Sequence, residues 1–460
     1  MTDSYDVVLV GGGPSTRILN KFLHQLLPDV RTVVIRDENR IVNHCGTPYI
    51  VEGEIPWQKG LIPEKLVEQF DTEILVDPVV GGDPVAHEVE LASGRVLRYR
   101  QLVFATGTDQ ITPPIPGFDL DGVLKVRRTV DVERAMQALS GVDDVVVLGG
   151  GYIGLEFAVS LANMGKRVSL VEMLDRVMGD RIDLAMAAAI EEHLRARGID
   201  LRTGVAASRI LGDAGHVTGV ELADGSKIHA DAVIPSVGVR PIVDFASRLG
   251  LETDTDGLVV DDHFRTSQPD VYAIGDCVGT RCAITGRRIN GKLGSNAGRM
   301  ARTLALQLSG LDDRPFPGIV NVAATVLGGL AYGSAGLTER DAHDAGIEVH
   351  TVRAQATHTY DNMPHPHPVD IKMTYRADDL RVLGGELLGR FNPAGHLEAL
   401  GQMIERGARL FDVVGASYCS HPELTPKTSH PYWTFASEKL LFRLQSEKEL
   451  ATTAPVGSGE

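Results

Sequence analysis

Four cysteines in 460 residues, Cys45, Cys277, Cys282 and Cys419, are too few and too scattered for the disulfide framework of a small secreted module. They point to a reducing compartment. Aromatic residues are scarce, 5% with two tryptophans, and no uninterrupted apolar run reaches membrane-spanning length. Positive charge is also short: 45 Lys+Arg against 61 Asp+Glu leaves −16, a balance that repels nucleic-acid backbones and anionic membrane surfaces. The N-terminal Met-Thr-Asp-Ser-Tyr-Asp lacks the basic start of a signal peptide. The reading is a soluble, cytoplasmic chain with no nucleic-acid or membrane partner. Length predicts about three domains. Glycine is plentiful, at 50 residues, and predicts several tight backbone sites.

The chain repeats itself. Asp6-Val-Val-Leu-Val-Gly-Gly-Gly13 and Asp144-Val-Val-Val-Leu-Gly-Gly-Gly151 each run an apolar strand into a glycine cluster, followed by a helix-length segment and another apolar strand. Further on, Glu90-Leu-Ala-Ser-Gly-Arg precedes Val103-Phe-Ala-Thr-Gly107 as Glu221-Leu-Ala-Asp-Gly-Ser precedes Val233-Ile-Pro-Ser-Val-Gly238. Alternating apolar strands and helices predict parallel sheets covered on both faces, with ligands at the carboxyl ends of the strands. After about residue 320 the pattern changes to long polar loops, a strand pair near 371–387, and helices near 397–410 and 433–444. The fold class is therefore α/β, two Rossmann-like nucleotide-binding domains followed by an α+β domain.

In the second repeat Gly149-x-Gly151-x-x-Gly154 opens a helix, and Glu172 ends the next strand. Glycines allow close pyrophosphate approach, the helix N-terminus adds partial positive charge, and the acid accepts from ribose hydroxyls. Glu172 repels a 2′-phosphate, which favours NADH, while Arg176 keeps NADPH open. The first repeat has Gly11 and Gly13, but Thr16 replaces the third glycine and the next strand ends in Arg36-Asp37. Asp37 is the candidate ribose ligand there.

Thr266-Ser-Gln-Pro-Asp-Val-Tyr-Ala-Ile-Gly-Asp276 resembles the second FAD motif of two-dinucleotide flavoproteins, in which the Asp binds the ribityl chain. With both glycine motifs it makes the chain similar to the pyridine nucleotide-disulfide oxidoreductases along nearly its whole length. The resemblance implies a discontinuous FAD domain (1–125 and 250–320), an inserted NAD domain (126–249), a C-terminal dimerisation domain (321–448) and a disordered tail (449–460). Ala105, Thr106 and Gly107 match its crossover strand, and Gly275 precedes the motif's Asp276. Tyr152 and Glu156 match nicotinamide-pocket positions, Gly238 begins a second NAD contact, and Asn296 to Arg299 match the helix facing the flavin pyrimidine.

Asn43-His-Cys45-Gly-Thr-Pro-Tyr49 resembles the single-cysteine segment of coenzyme A disulfide reductases, NADH oxidases and NADH peroxidases. Ile50 stands where a CxxxxC pair would have its second cysteine. Cys45 is then the nucleophile; a helix N-terminus or an imidazolium can lower a thiol's pKa, and His44 is adjacent in sequence, though neighbouring side chains usually point apart. Pro14 replaces the first-loop His of the oxidases and peroxidases, which favours the disulfide reductases. Tyr360 and Tyr418 match interface tyrosines, and His421-Pro422 matches a general acid/base, although Pro426 replaces the Glu that orients it.

The resemblance implies a homodimeric FAD-dependent enzyme that uses NADH to reduce a small disulfide or persulfide, coenzyme A disulfide-like, with Lys59, Arg17 and Lys21 as possible phosphate contacts. The rivals are an NADH oxidase or peroxidase cycling Cys45 through a sulfenate, and a redox-responsive flavoprotein with lost turnover. No metal site is expected, because His358, His365, His367, His421 and His430 lack acidic or cysteine ligands at helical spacing. Cys277 and Cys282 read as packing, and Cys419 as a candidate resolving thiol.

Overall fold

The structure is a computed structural model describing residues 3–453. Contacts divide the chain into two units, Met1–Asp175 with Gly198–Ile319, and Arg176–Arg197 with Val320–Glu460. Within the first unit, strand Asp3–Val10 pairs in parallel with Thr32–Arg36 on one side and Val96–Phe104 on the other. Val271–Ala273 adds to Val96–Phe104, also in parallel. The seven-stranded sheet thus takes strands from both sides of an inserted segment. Its strands read as unbroken Val/Ile/Leu because both faces are covered: Val8, Val33, Ile35, Leu102 and Val103 are at most 1% exposed.

The inserted segment forms an all-parallel sheet ordered Asp200–Arg202, Arg167–Val171, Asp144–Leu148, Ala232–Pro235. Both repeats obey the sequence reading, with helices Pro14–Leu26 and Tyr152–Asn163 directly after the glycines. The two Gly-containing turns are hairpins, with Gly94 and Gly225 both at φ +84. A short ribbon, Thr108–Gln110 against Val239–Pro241, joins the two sheets of this unit.

The second unit contains a five-stranded antiparallel sheet, Val322–Leu327, Leu330–Gly336, Val382–Gly389, Pro368–Arg376 and Val349–Thr357 in spatial order. Of these the sequence reading anticipated only the Pro368–Arg376 and Val382–Gly389 pair; stretches read as polar loops are strands. Helices Ala394–Glu405, Leu410–Val414 and Tyr432–Thr453 follow. The last continues past Glu449, where a disordered tail was expected, and 454–460 lie outside the described residues.

Residues 176–197, read from sequence as part of the NAD domain, cluster with this unit. Asp183, whose side chain is 1% exposed, meets Lys372 at 3.0 Å and also pairs with Arg353, and Glu386 accepts from the Asp183 N–H and the Tyr332 hydroxyl. No helix among the described residues is long and apolar enough to cross a membrane.

Candidate active site

The second glycine loop has a tight acceptor geometry. Gly149 lies at φ +106, and a Cβ there would come within 2.5 Å of the Ser236 carbonyl. Glu172, 8% exposed, accepts from the Gly150 N–H at 2.6 Å and the Leu174 N–H at 2.8 Å. A Cβ on Gly151 would meet nothing within 4 Å, so the helix start is open where a pyrophosphate would pass. These residues fit a dinucleotide.

The first loop repeats this backbone but not its side chains. Gly11, at φ +124, closes on the Ala105 carbonyl (2.1 Å from an added Cβ), and Gly13 is open. The Gly11 N–H bonds to Ile35 O as the Gly149 N–H bonds to Val171 O, so Arg36, not Asp37, is the counterpart of Glu172. Asp37, the expected ribose ligand, follows it with a half-exposed carboxylate bonded to Arg128 at 2.7 Å.

Gly275, at φ +80, approaches helix Pro14–Leu26 so closely that a Cβ would lie 2.5 Å from Ser15 Oγ. Burial pushes the Asp276 carboxyl up, opposed by Arg127 and Lys292. Lys292 donates to the Asp276 carbonyl at 2.9 Å. Thr106 Oγ1 donates to Ile242 O at 2.7 Å, and Gly107 (φ +71) accepts the Ile242 N–H at 3.0 Å. Gly238, at φ +110, accepts the Ile111 N–H at 3.0 Å in the connecting ribbon. Helix Gly294–Leu308 starts two residues before the expected Asn296, whose amide donates to Gly291 O at 2.9 Å. An open Gly13, a crowded Gly275 and a half-buried Asp276 fit a second dinucleotide beside this helix.

Cys45 is exposed, in a turn of 3₁₀ helix (His44–Gly46) running into helix Thr47–Glu52. Its Sγ lies 3.8 Å from where a Cβ on Gly294 would stand, at the N-terminus of Gly294–Leu308. Burial and the Glu156 carboxylate nevertheless push its thiol up, while Arg127 opposes them. His44 supplies no imidazolium: burial and Arg127 hold it down at about 4, so it is neutral near pH 7.

Arg127, which sequence reasoning missed, is therefore the group favouring the thiolate. It donates to the Thr108 carbonyl at 3.1 Å and to Thr108 Oγ1, and stands 3.8 Å from Asp276. No spacing or motif distinguishes it from the adjacent Arg128. Tyr152 is the half-buried first residue of its helix, one turn before Glu156.

In the second unit Tyr360 and the 418–422 segment come together. Tyr360 OH meets Ser420 Oγ at 2.7 Å, and its N–H donates to Pro422 O. Tyr418, 50% exposed, donates to Thr428 O, and exposed His421 accepts the Glu423 N–H on Nδ1 at 3.3 Å. Nδ1 being an acceptor, the proton of neutral His421 sits on Nε2. His358 and His367 stack with centroids 5.1 Å apart. All four cysteines are free: Cys277 and Cys282 are buried, Cys419 exposed.

Two glycine loops, a half-buried aspartate and an accessible sulfur at a helix start define a two-dinucleotide flavoprotein fold that uses FAD and NAD(P)H. The chain matches the pyridine nucleotide-disulphide oxidoreductase family over residues 5–301 and that family's dimerisation domain over 322–430, and it belongs to that family.

It is 28% identical over 451 residues to an NADH oxidase of Methanocaldococcus jannaschii, covering 96% of this chain and 99% of the relative. To a CoA-dependent NAD(P)H sulfur oxidoreductase of Pyrococcus abyssi it is 30% identical over 406 residues, 84% of this chain and 89% of the relative. The solved NAD-dependent persulfide reductase of A. fulgidus superposes with a TM-score of 0.90 at 26% identity, over 96% of this chain and 84% of that one.

Proposed function

We propose that the chain is an FAD-dependent NADH oxidoreductase that reduces a small disulfide or persulfide through Cys45. The observation that carries this reading is the accessible Cys45 thiol at the start of helix Gly294–Leu308, with Ile50 where a partner cysteine would stand. The Pyrococcus abyssi and A. fulgidus relatives, both named for sulfur chemistry, support it.

Gly149, Gly151, Gly154 and Glu172 hold NADH; Tyr152 and Glu156 flank its nicotinamide. Bound FAD supplies the two-electron relay from NADH to sulfur. The Cys45 thiolate attacks one sulfur of RSSR, the S–S bond breaks, and RS⁻ leaves to take a proton. An electron pair then cleaves the Cys45–SR bond, freeing the second thiol and restoring the thiolate. The sum is NADH + RSSR + H⁺ → NAD⁺ + 2 RSH, or RSH + H₂S from a persulfide RSSH.

In a homodimer, supported by the dimerisation-domain match, Tyr360, Tyr418 and His421 come from the second copy, and His421 Nε2–H donates the proton. The test is anaerobic NADH turnover with coenzyme A disulfide and with polysulfide. Cys45→Ser should abolish both while NADH still bleaches the flavin; retained turnover would sink the role of Cys45. The oxidase reading, favoured by the Methanocaldococcus relative, requires NADH consumption coupled to oxygen. A flavin that NADH fails to bleach would instead indicate a redox-responsive protein.

A further inference from the structure

The first glycine unit carries a buried cation where the second carries a buried acid. Arg36 is only 9% exposed; its guanidinium donates to the Asn39 carbonyl at 2.6 Å and pairs with the Glu64 carboxylate, while its buried Nε has no hydrogen-bond partner. Thr16, fully buried where the second repeat has Gly154, has a hydroxyl equally without a partner. Both residues line one cleft with Gly12, Arg17 and Glu64.

Folded interiors seldom leave a guanidinium N–H or a hydroxyl unpaired, so this loop keeps two polar groups, Arg36 and Thr16, that its own packing does not need. Glu64 reaches this cleft from a different element, just before the helical turn Lys65–Glu68, and 44% of its side chain remains accessible. A carboxylate therefore stands at the edge of this loop although the strand end has lost its own.

We propose that Glu64, whose carboxylate stays accessible while Arg36 behind it holds it at the loop, is the acceptor for the adenosine ribose hydroxyls of FAD in this chain. This rests on the first unit being the FAD site. The alternative is that Arg36 and Glu64 form an ion pair that only braces the loop.

The two are separated by a cycle between protein and ligand. Flavin is removed from the purified enzyme, and the dissociation constants of FAD and of its 2′-deoxyadenosine analogue are measured by flavin fluorescence for wild type, Glu64→Gln and Arg36→Met. Melting of the flavin-free proteins is recorded in parallel. In wild type, loss of the hydroxyl should weaken binding about tenfold. In Glu64→Gln, FAD itself should weaken by a similar factor and the analogue should then cost little more. Arg36→Met should weaken FAD more than the analogue. Equal, additive losses from the analogue in wild type and Glu64→Gln would overturn the assignment, as would variants that melt earlier yet bind FAD unchanged. If wild type rebinds no FAD at all, the failure lies instead with the FAD site itself.

Discussion

Cys45 stands between opposed charges, and that balance can be read directly. Glu156 pushes its thiol up and Arg127 pulls it down, both acting on the burial that raises it. Glu156→Gln removes one neighbouring negative charge and so lowers the thiol's pKa, and a charge lost close to a protein site shifts such an equilibrium by roughly tenfold. Below the pKa the thiolate fraction then rises about tenfold, but a less basic thiolate is less nucleophilic, with a Brønsted slope of about 0.45. The net expectation is a roughly 3.5-fold faster reaction of Cys45 with iodoacetamide near neutral pH. Arg127→Met should slow it by a similar factor, and Arg127→Lys should restore most of the rate because charge, not shape, is the cause. In wild type the rate should climb steadily with pH and bend only above the ordinary thiol range, since burial raises the pKa. The assay is mass-spectrometric labelling of Cys45 over time in the purified, reduced enzyme. A Glu156→Gln rate equal to or below wild type, or a faster Arg127→Met, would refute this account of the site.

Gly154→Ala places a Cβ 1.9 Å from the Gly149 carbonyl, so the KM for NADH should rise about tenfold or more while flavin content stays intact; flavin loss would mean that the two loops are not separate sites. Glu172→Ala removes a buried carboxylate from the ribose end of the second strand, and the NADH-over-NADPH ratio of kcat/KM should fall by about tenfold. Lys372→Met strips a buried amine from Asp183 (3.0 Å) and Glu339 (2.9 Å) and should cost about 3–5 kcal/mol in urea unfolding. Lys372 and Arg353 hold the Asp183 carboxyl below its usual range, so its stabilisation is complete above the unfolded carboxylate pKa and is lost as pH falls through the lower folded value. Glu339 and Asp183 hold Lys372 above its usual value, so that share is complete below the unfolded lysine pKa and disappears as pH rises through the higher folded one.

The first unit was legible because its signals are local. Val145-Val-Val-Leu148 and Val168-Ser-Leu-Val171 are buried on both faces, so the apolar run itself marks each strand, and the glycines that follow mark the turn. The second unit hides its sheet. Val322–Leu327 alternates burial, and Leu330–Gly336 is mostly Ala, Gly and Ser, with a glycine needed at 333 because Leu397 lies 2.3 Å from a Cβ there. Composition alone reads such a strand as a loop. Of the candidate site, spacing marks the glycines and Glu172, whereas Asp276 and Cys45 are marked only by the resemblance of their segments to family motifs. Whether Arg36 or Asp37 is the counterpart of Glu172 was not legible, because one residue along a strand decides which side chain turns toward the loop. The charge state of His44 depends on burial and on Arg127, a residue distant in sequence, and no motif encodes that.

The two repeats also separate what the fold requires from what a ligand requires. Both keep the first glycine, because Gly11 and Gly149 each press on a neighbouring strand's carbonyl, Ala105 and Ser236. They part at the third glycine position, where Gly154 has no room for a side chain beside Gly149 and the first loop admits a buried Thr16. They part again at the strand end, Arg36 against Glu172. Neither difference disturbs the sheet, since the pairings Val10 with Ile35 and Leu148 with Val171 are equivalent. What the first sheet gains is a further strand, Val271–Ala273, which delivers Gly275 and Asp276 against helix Pro14–Leu26; among the described residues the second sheet has no strand beyond Ala232–Pro235. One scaffold thus presents an open loop with a strand-end acid and, beside it, a walled loop whose acid comes from elsewhere. A nicotinamide dinucleotide that must enter and leave each turnover suits the first kind, and a flavin retained between turnovers suits the second.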